Sequence, residues 1–178
     1  ISVIAELMKV YHALELLETQ GVPALHKYFD KLMEESVSMK TKAIKNIVSD
    51  YNFKSAFVKV QSLNEQGIEH PKLIELQKIV DGEMKKDSGT KLIVFNQYRD
   101  NASDITKKLN SINGVSARMF VGQQKKGETG LSQKEQKKMM DDFRQGLFNV
   151  LVATSIGEEG LDVPQVDIVI FYEPLPSA

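Results

Sequence analysis

The chain has 178 residues, 42% of them hydrophobic, and 23 basic against 24 acidic side chains leave a net charge of −1; there is no Cys and no Trp. This excludes a disulfide framework, a thiol nucleophile and a Cys-ligated zinc site, and argues against a tail-like binder held by bulk charge. No stretch approaches a membrane span and the N-terminus lacks the basic-then-apolar layout of an export signal, so the expected setting is cytoplasmic, with no membrane partner.

The first part of the chain is predicted to be helical. Ile4, Leu7, Met8, Tyr11, Leu14 and Leu17 recur at helical spacing, and Gly21 offers a left-handed stop. Pro23 starts a second helix striped by Leu25, Tyr28, Phe29, Leu32 and Met33. Ser38 is expected to cap a third helix carrying Ile44, Ile47 and Val48. Asp50 is expected to cap a fourth, striped by Phe53, Ala56, Phe57 and Val60 and ended by Gly67. Residues 1–68 are therefore expected to form a small helical bundle.

From residue 70 the period changes. His70-Pro71 opens a helix through Leu73, Leu76 and Val80, after which short runs rich in β-branched and aromatic residues alternate with amphipathic helices. The runs are Leu92 to Phe95, Val115 to Val121, Phe148 to Ala153 and Val166 to Tyr172. Ala102, Ile105 and Leu109 mark one intervening helix; Gln136, Met139, Met140 and Phe143 mark another. Continuous apolar runs separated by helices predict a parallel sheet covered on both faces, so residues 69–178 are expected to be α/β. Ser132 to Glu135 reads as a capping box, with Gly146 at the far end of its helix.

Charge is segregated along the chain. Residues 1–36 hold 3 basic and 6 acidic side chains, whereas residues 37–60 hold Lys40, Lys42, Lys45, Lys54 and Lys59 against Asp50 alone. A second basic stretch runs from Arg118 to Lys138. Either could follow a phosphate backbone, and either could be the solvated face of an amphipathic helix.

The candidate sites differ in quality. Gly122 to Thr129 has P-loop glycine spacing after a strand, but Glu128 stands where the phosphate-binding lysine belongs, so a P-loop is rejected. His12, His26 and His70 lack metal-ligand spacing, and no metal site is expected. The segment Val150 to Pro164 is more informative, because a buried strand delivers Thr154 and Ser155 at its carboxyl end, where open α/β sheets bind ligands. Gly157 and Gly160 allow close backbone approach and Asp162 could accept from a ribose hydroxyl. The alternative is a tight connection in which Thr154 caps a short helix and Asp162 makes the turn before Pro164.

Five segments, in this order, carry a resemblance. They are Leu92 to Arg99, Phe120 to Gln123, Leu131 to Gln133, Ala153 to Asp162 and Phe171 to Ala178. Together they resemble the superfamily 2 helicases, specifically those of the archaeal Hef and Fanconi anaemia M type. The resemblance implies a second RecA-like motor domain preceded by a helical insertion. It also implies that Asn96, Tyr98, Arg99, Gly122, Gln123, Thr154 and Ser155 lie along a nucleic-acid strand, and that Gly160 and Asp162 meet ATP. Lys40, Lys42 and Lys45 then become a candidate grip on forked or branched DNA.

No Gly-Lys-Thr/Ser loop and no magnesium-binding Asp-Glu box occur in the sequence. ATP and Mg²⁺ are therefore expected to be held mainly by a first motor domain of the same parent chain, and this piece alone is expected not to hydrolyse ATP. Consistent with a piece of something longer, the chain starts at Ile1 and stops at Ala178, where an Arg-rich motif is expected to follow. The rival expectation is a non-catalytic nucleic-acid-binding or partner-recruiting α/β module with a helical adaptor.

Overall fold

The helical spacing resolves into α1 (Ser2–Gln20), α2 (Val22–Ser38), α3 (Lys42–Ser49) and α4 (Tyr51–Glu65) in a computed structural model that describes residues 2–38, 41–122, 131–154 and 164–173. Gly21 separates α1 from α2 at φ +89°, and a Cβ there would stand 3.0 Å from Cβ of His70, so both backbone and space require glycine. Asp50 caps α4 as predicted, its Oδ1 accepting from the amides of Asn52 at 2.8 Å and Phe53 at 3.4 Å.

Two expectations for this part are corrected. Ser38 does not cap α3; it is the last residue of α2, where its hydroxyl donates to the Glu34 carbonyl at 3.1 Å, and Thr41 is the N-cap residue instead. A serine hydroxyl at a helix end can satisfy the carbonyl one turn back as readily as a following amide. The stripe on α1 is the second correction. A regular amphipathic helix buries its stripe, yet Ile4 is 65% and Tyr11 68% exposed, and Leu7, Met8 and Leu14 are exposed with them. Val3 and Val10 are exposed too, and at about 100° per residue they fall on the same side of the helix as the stripe, so α1 carries a regular apolar face that the bundle leaves uncovered. Leu16 is the hydrophobic side chain of α1 that is buried, and Asn46 Nδ2 ties α3 to Glu6 of α1 at 2.8 Å. The core of the bundle comes from Leu25, Phe29, Leu32, Ile44, Ile47, Phe53 and Val60.

A second unit begins at Lys72, the first ending at Pro71. It carries α5 (Pro71–Lys86), β1 (Leu92–Phe95), α6 (Arg99–Leu109), β2 (Ala117–Phe120), α7 (Gln133–Arg144), β3 (Val150–Ala153) and β4 (Ile168–Phe171). The strands form one sheet in the order β2-β3-β1-β4, every pair parallel. Alternation along β1 and β3 explains why both strands are apolar throughout. Leu92, Val94, Val150 and Val152 pack with Leu76 and Val80 of α5 and Ile105 and Leu109 of α6. Ile93 and Leu151 join a second cluster with Met140 and Phe143 of α7 and with Phe148. The coverage is incomplete at β4, where Ile168 and Ile170 pack inward but Val169 and Phe171 are 45% and 47% exposed.

The capping box at α7 is closed in both directions. The Glu135 amide donates to Ser132 Oγ at 3.3 Å, and the Ser132 amide donates to Glu135 Oε2 at 2.8 Å. The Ser132 hydroxyl donates to Glu135 Oε2 at 2.7 Å, and this bond first, with the amide bond second, holds the Glu135 carboxyl below its ordinary value.

Candidate nucleic-acid interface

The residue just after each of β3, β1 and β4 hands its backbone amide to the last residue of a neighbouring strand. The Thr154 amide donates to the Phe120 carbonyl at 3.1 Å, the Asn96 amide to Ala153 at 2.9 Å, and the Tyr172 amide to Phe95 at 2.9 Å. These bonds align the exits of four parallel strands, so Gly122, Thr154, Asn96 and Glu173 all follow carboxyl ends of the same sheet. That is the edge where open α/β sheets bind ligands.

Within this edge Asn96 plays a different part from the one the resemblance implies. A side chain that touches nucleic acid should be accessible, but Asn96 is 4% exposed and both ends of its amide are used internally. Nδ2 donates to Glu173 Oε1 at 3.1 Å, and Oδ1 accepts from the Tyr98 amide at 3.0 Å. The other Glu173 oxygen accepts from the Gln97 amide at 2.9 Å. A strand exit followed by an Asx-type turn thus leaves Gln97 exposed and Tyr98 and Arg99 half-buried, with Arg99 opening α6. Gly122 and Thr154, the other described candidates here, are both partly exposed.

The electrostatics of this corner come from the two residues that follow β4 and from Lys72 of α5. Tyr172 is 6% exposed, and among the described residues neither its hydroxyl nor the buried Asn101 Nδ2 has a hydrogen-bond partner. Burial first, and Glu173 second, push the Tyr172 phenol up to about 12, while the Asn101 amide pulls the other way without closing a hydrogen bond. Lys72 lies 4.5 Å from the Tyr172 ring centroid and donates to the Tyr172 carbonyl at 3.3 Å. Burial lowers the Lys72 ammonium from its ordinary value, and attraction to Glu173 opposes that shift.

Lys42 and Lys45 belong to the helical unit, both exposed, at the start and on the outer side of α3. Lys40, Gln123, Ser155, Gly160 and Asp162 lie outside the described residues. The histidines have partners within the helical unit: His12 lies 3.4 Å from Glu15, His26 3.1 Å from Asp30, and His70 Nε2 3.0 Å from the Glu18 carbonyl. Among the described residues no three His, Cys, Asp or Glu side chains converge as a metal site would require, and no helix is long and apolar enough to cross a membrane. Sequence reasoning missed Glu173 and Lys72 as parts of this corner; the signal for Glu173 was an acidic residue just beyond an apolar strand.

Comparison with known proteins places the fold in a family. The family described as "Helicase conserved C-terminal domain" matches residues 71–177, and one described as "Putative ATP-dependent RNA helicase, helical bundle" matches residues 3–67. The Hef helicase domain of Pyrococcus furiosus, seen in a crystal structure, superposes with a TM-score of 0.76 at 47% identity, over 97% of this chain and 34% of that one. A Methanocaldococcus jannaschii protein named "Putative ATP-dependent RNA helicase MJ1505" is 40% identical over 99% of this chain and 22% of its own length. The ATP-dependent DNA helicase MPH1 of Pyricularia oryzae is 37% identical over 96% of this chain and 16% of its own length. The chain therefore spans about a fifth of the length of these curated relatives.

Proposed function

Because the chain belongs to the helicase conserved C-terminal domain family, with the RecA-like fold of the Hef helicase domain, we propose that it is the helical insertion and second motor domain of an ATP-dependent DNA helicase or translocase. Forked or branched DNA, met in repair or in fork restart, is the proposed substrate, and the cytoplasm the proposed setting. The observation that carries this reading is the single edge on which the exits of β1, β2 and β3 place the Gln97–Arg99 turn, Gly122 and Thr154. The amide bonds from strand to strand make that edge rigid, so movement of the domain as a body would carry these groups together along a strand.

The described residues do not make a complete nucleotide site. Phosphoryl transfer needs a phosphate cradle and a metal-positioning carboxylate, and the sequence has neither a Gly-Lys-Thr/Ser loop nor an Asp-Glu box. ATP and Mg²⁺ are proposed to sit mainly on the first motor domain of the parent, with Gly160 and Asp162 facing them. Gln123 and Ser155 would extend the strand-binding edge, and Lys40, Lys42 and Lys45 would grip the fork. DNA is favoured because the fungal relatives are named DNA helicases, although the archaeal relative is named a putative RNA helicase.

The test compares ATPase stimulation of the full-length parent by forked DNA, linear duplex DNA and double-stranded RNA. Strongest stimulation by forked DNA is expected; stimulation by double-stranded RNA alone would overturn the DNA reading. The 178-residue chain by itself should show no ATP turnover.

A further inference from the structure

We infer that Glu173 is a positioning residue for the nucleic-acid edge: its buried carboxylate, through Asn96, sets the conformation of the Gln97–Arg99 turn without itself meeting the strand. The inference rests on the proposed nucleic-acid interface. Its geometry is a closed set of three hydrogen bonds. Glu173 Oε1 accepts from Asn96 Nδ2 at 3.1 Å, Glu173 Oε2 accepts from the Gln97 amide at 2.9 Å, and Asn96 Oδ1 accepts from the Tyr98 amide at 3.0 Å. Two successive backbone amides of the turn are thus held by side chains, one following β4 and one following β1.

The position follows from the sheet. Phe95 and Phe171 are register partners in adjacent parallel strands, and the Tyr172 amide extends the pairing by one bond to the Phe95 carbonyl. The residue after it, Glu173, then comes level with the turn that leaves β1. At 7% exposed it is turned inward. A carboxylate in that place would repel a phosphate strand if it faced outward. Facing inward, with Lys72 close enough to feel its charge, it supplies acceptors to the donors of the turn.

The chemistry requires a carboxylate opposite an amide. Both Glu173 oxygens meet donors, so Glu173→Gln brings an NH₂ against either Asn96 Nδ2 or the Gln97 amide, and one bond is lost. Asn96 cannot turn over to compensate, because its oxygen already serves Tyr98. Asn96→Asp fails for the opposite reason, setting two carboxylates against each other. The exchanged pair, Asn96→Asp with Glu173→Gln, restores all three bonds with the polarity of one reversed. The new side-chain NH₂ at position 173 would donate to the new carboxylate at position 96, while its carbonyl oxygen accepts from the Gln97 amide. The second oxygen of that carboxylate would still accept from the Tyr98 amide.

This exchange is the test, on the 178-residue chain, with amide hydrogen exchange at Gln97 and Tyr98 as one readout and anisotropy titration of labelled forked DNA as the other. Each single variant should speed exchange at one or both amides and weaken DNA binding by about tenfold, the effect of one lost buried hydrogen bond. The salt slope should stay unchanged, because no phosphate contact has been removed. The exchanged pair should return both readouts to within about twofold of the parent chain; a residue that serves stability alone would shift neither selectively.

Unchanged exchange in Glu173→Gln overturns the inference. So does faster exchange with undiminished DNA binding, which would leave the interface standing but deny Glu173 its part in it. The expected exchange behaviour with no fork binding by the unsubstituted 178-residue chain would instead overturn the interface, and the purpose assigned to Glu173 with it.

Discussion

The side-chain amide of Asn110 pairs with both backbone groups of Ala117, accepting from its N–H at 2.8 Å and donating to its carbonyl at 2.9 Å. Ala117 begins β2, an edge strand, and Asn110 is the C-cap residue of α6. One side chain thereby ends a helix and closes the open side of a strand, where unpaired groups invite intermolecular pairing. Asn110→Ala should destabilise the α/β unit by about 1 kcal/mol and speed hydrogen exchange at the Ala117 amide. Thermal denaturation and exchange on the same sample check both.

Tyr172 makes stability fall at high pH. Its folded phenol is pushed up to about 12 from an ordinary value of 10.0. A raised folded value means that the unfolded chain loses its proton first, so the contribution is complete below about 10 and is lost as pH rises through about 12. Tyr172→Phe removes this dependence along with a buried hydroxyl that has no hydrogen-bond partner among the described residues. At neutral pH the variant should be as stable as the parent or more so, by up to about 1 kcal/mol. Its advantage should widen above about pH 10, which denaturant melts on either side of that value would show.

The Ser132 cap gives the opposite sign. Its bonds hold the Glu135 carboxyl below the ordinary 4.5, so the benefit is present above that value and lost as pH falls through the lower folded one. Ser132→Ala should lower the melting temperature near neutrality, as the loss of an N-cap does. The gap between variant and parent should shrink in acid; a gap that stays constant well below the ordinary carboxylate range would show that the reciprocal bond does not form.

In the helical unit the lysines of α3 can be counted by salt. Each lysine that neutralises a phosphate contributes about one unit to the log–log slope of affinity against salt. Changing Lys42 and Lys45 together to Ala should lower that slope by about two for forked DNA. An unaltered slope would assign both lysines to solvent.

Core packing sets the largest expected loss. Phe143 is fully buried under the sheet, with its ring centroid 5.0 Å from that of Phe148. Phe143→Ala should cost about 3–5 kcal/mol, enough to unfold most of the α/β unit at moderate temperature. Near-ultraviolet circular dichroism would register it.

Local signals in the sequence translated directly into structure. Asp50, the Ser132-Glu135 pair and Gly146, which sits at φ +74° after α7, act over one helical turn, so their neighbours in sequence are their partners in space. The sheet was legible for a related reason, since strands buried on both faces must be apolar throughout. Its exits placed Gly122 and Thr154 on one edge once the strands were parallel. The exposure of α1 was not legible, because an apolar face at helical spacing reads the same whether or not anything covers it, and only packing tells the two apart. Nor was Asn96, whose partner Glu173 stands 77 positions away; an asparagine after a strand reads as a surface ligand until the carboxylate opposite is known.

The strand order has a consequence for synthesis. β1 is made first among the strands, yet its neighbours on either side are β3 and β4, with Leu92 paired to Val150 and Ile168. During translation, at about 5–20 residues per second, Leu92 to Phe95 must wait for several seconds with both edges bare. The helical unit precedes it in the chain, and its local contacts can close before or during that interval. Folding order would then run from bundle to sheet, and the apolar β1 run is the segment a nascent-chain chaperone would most need to cover.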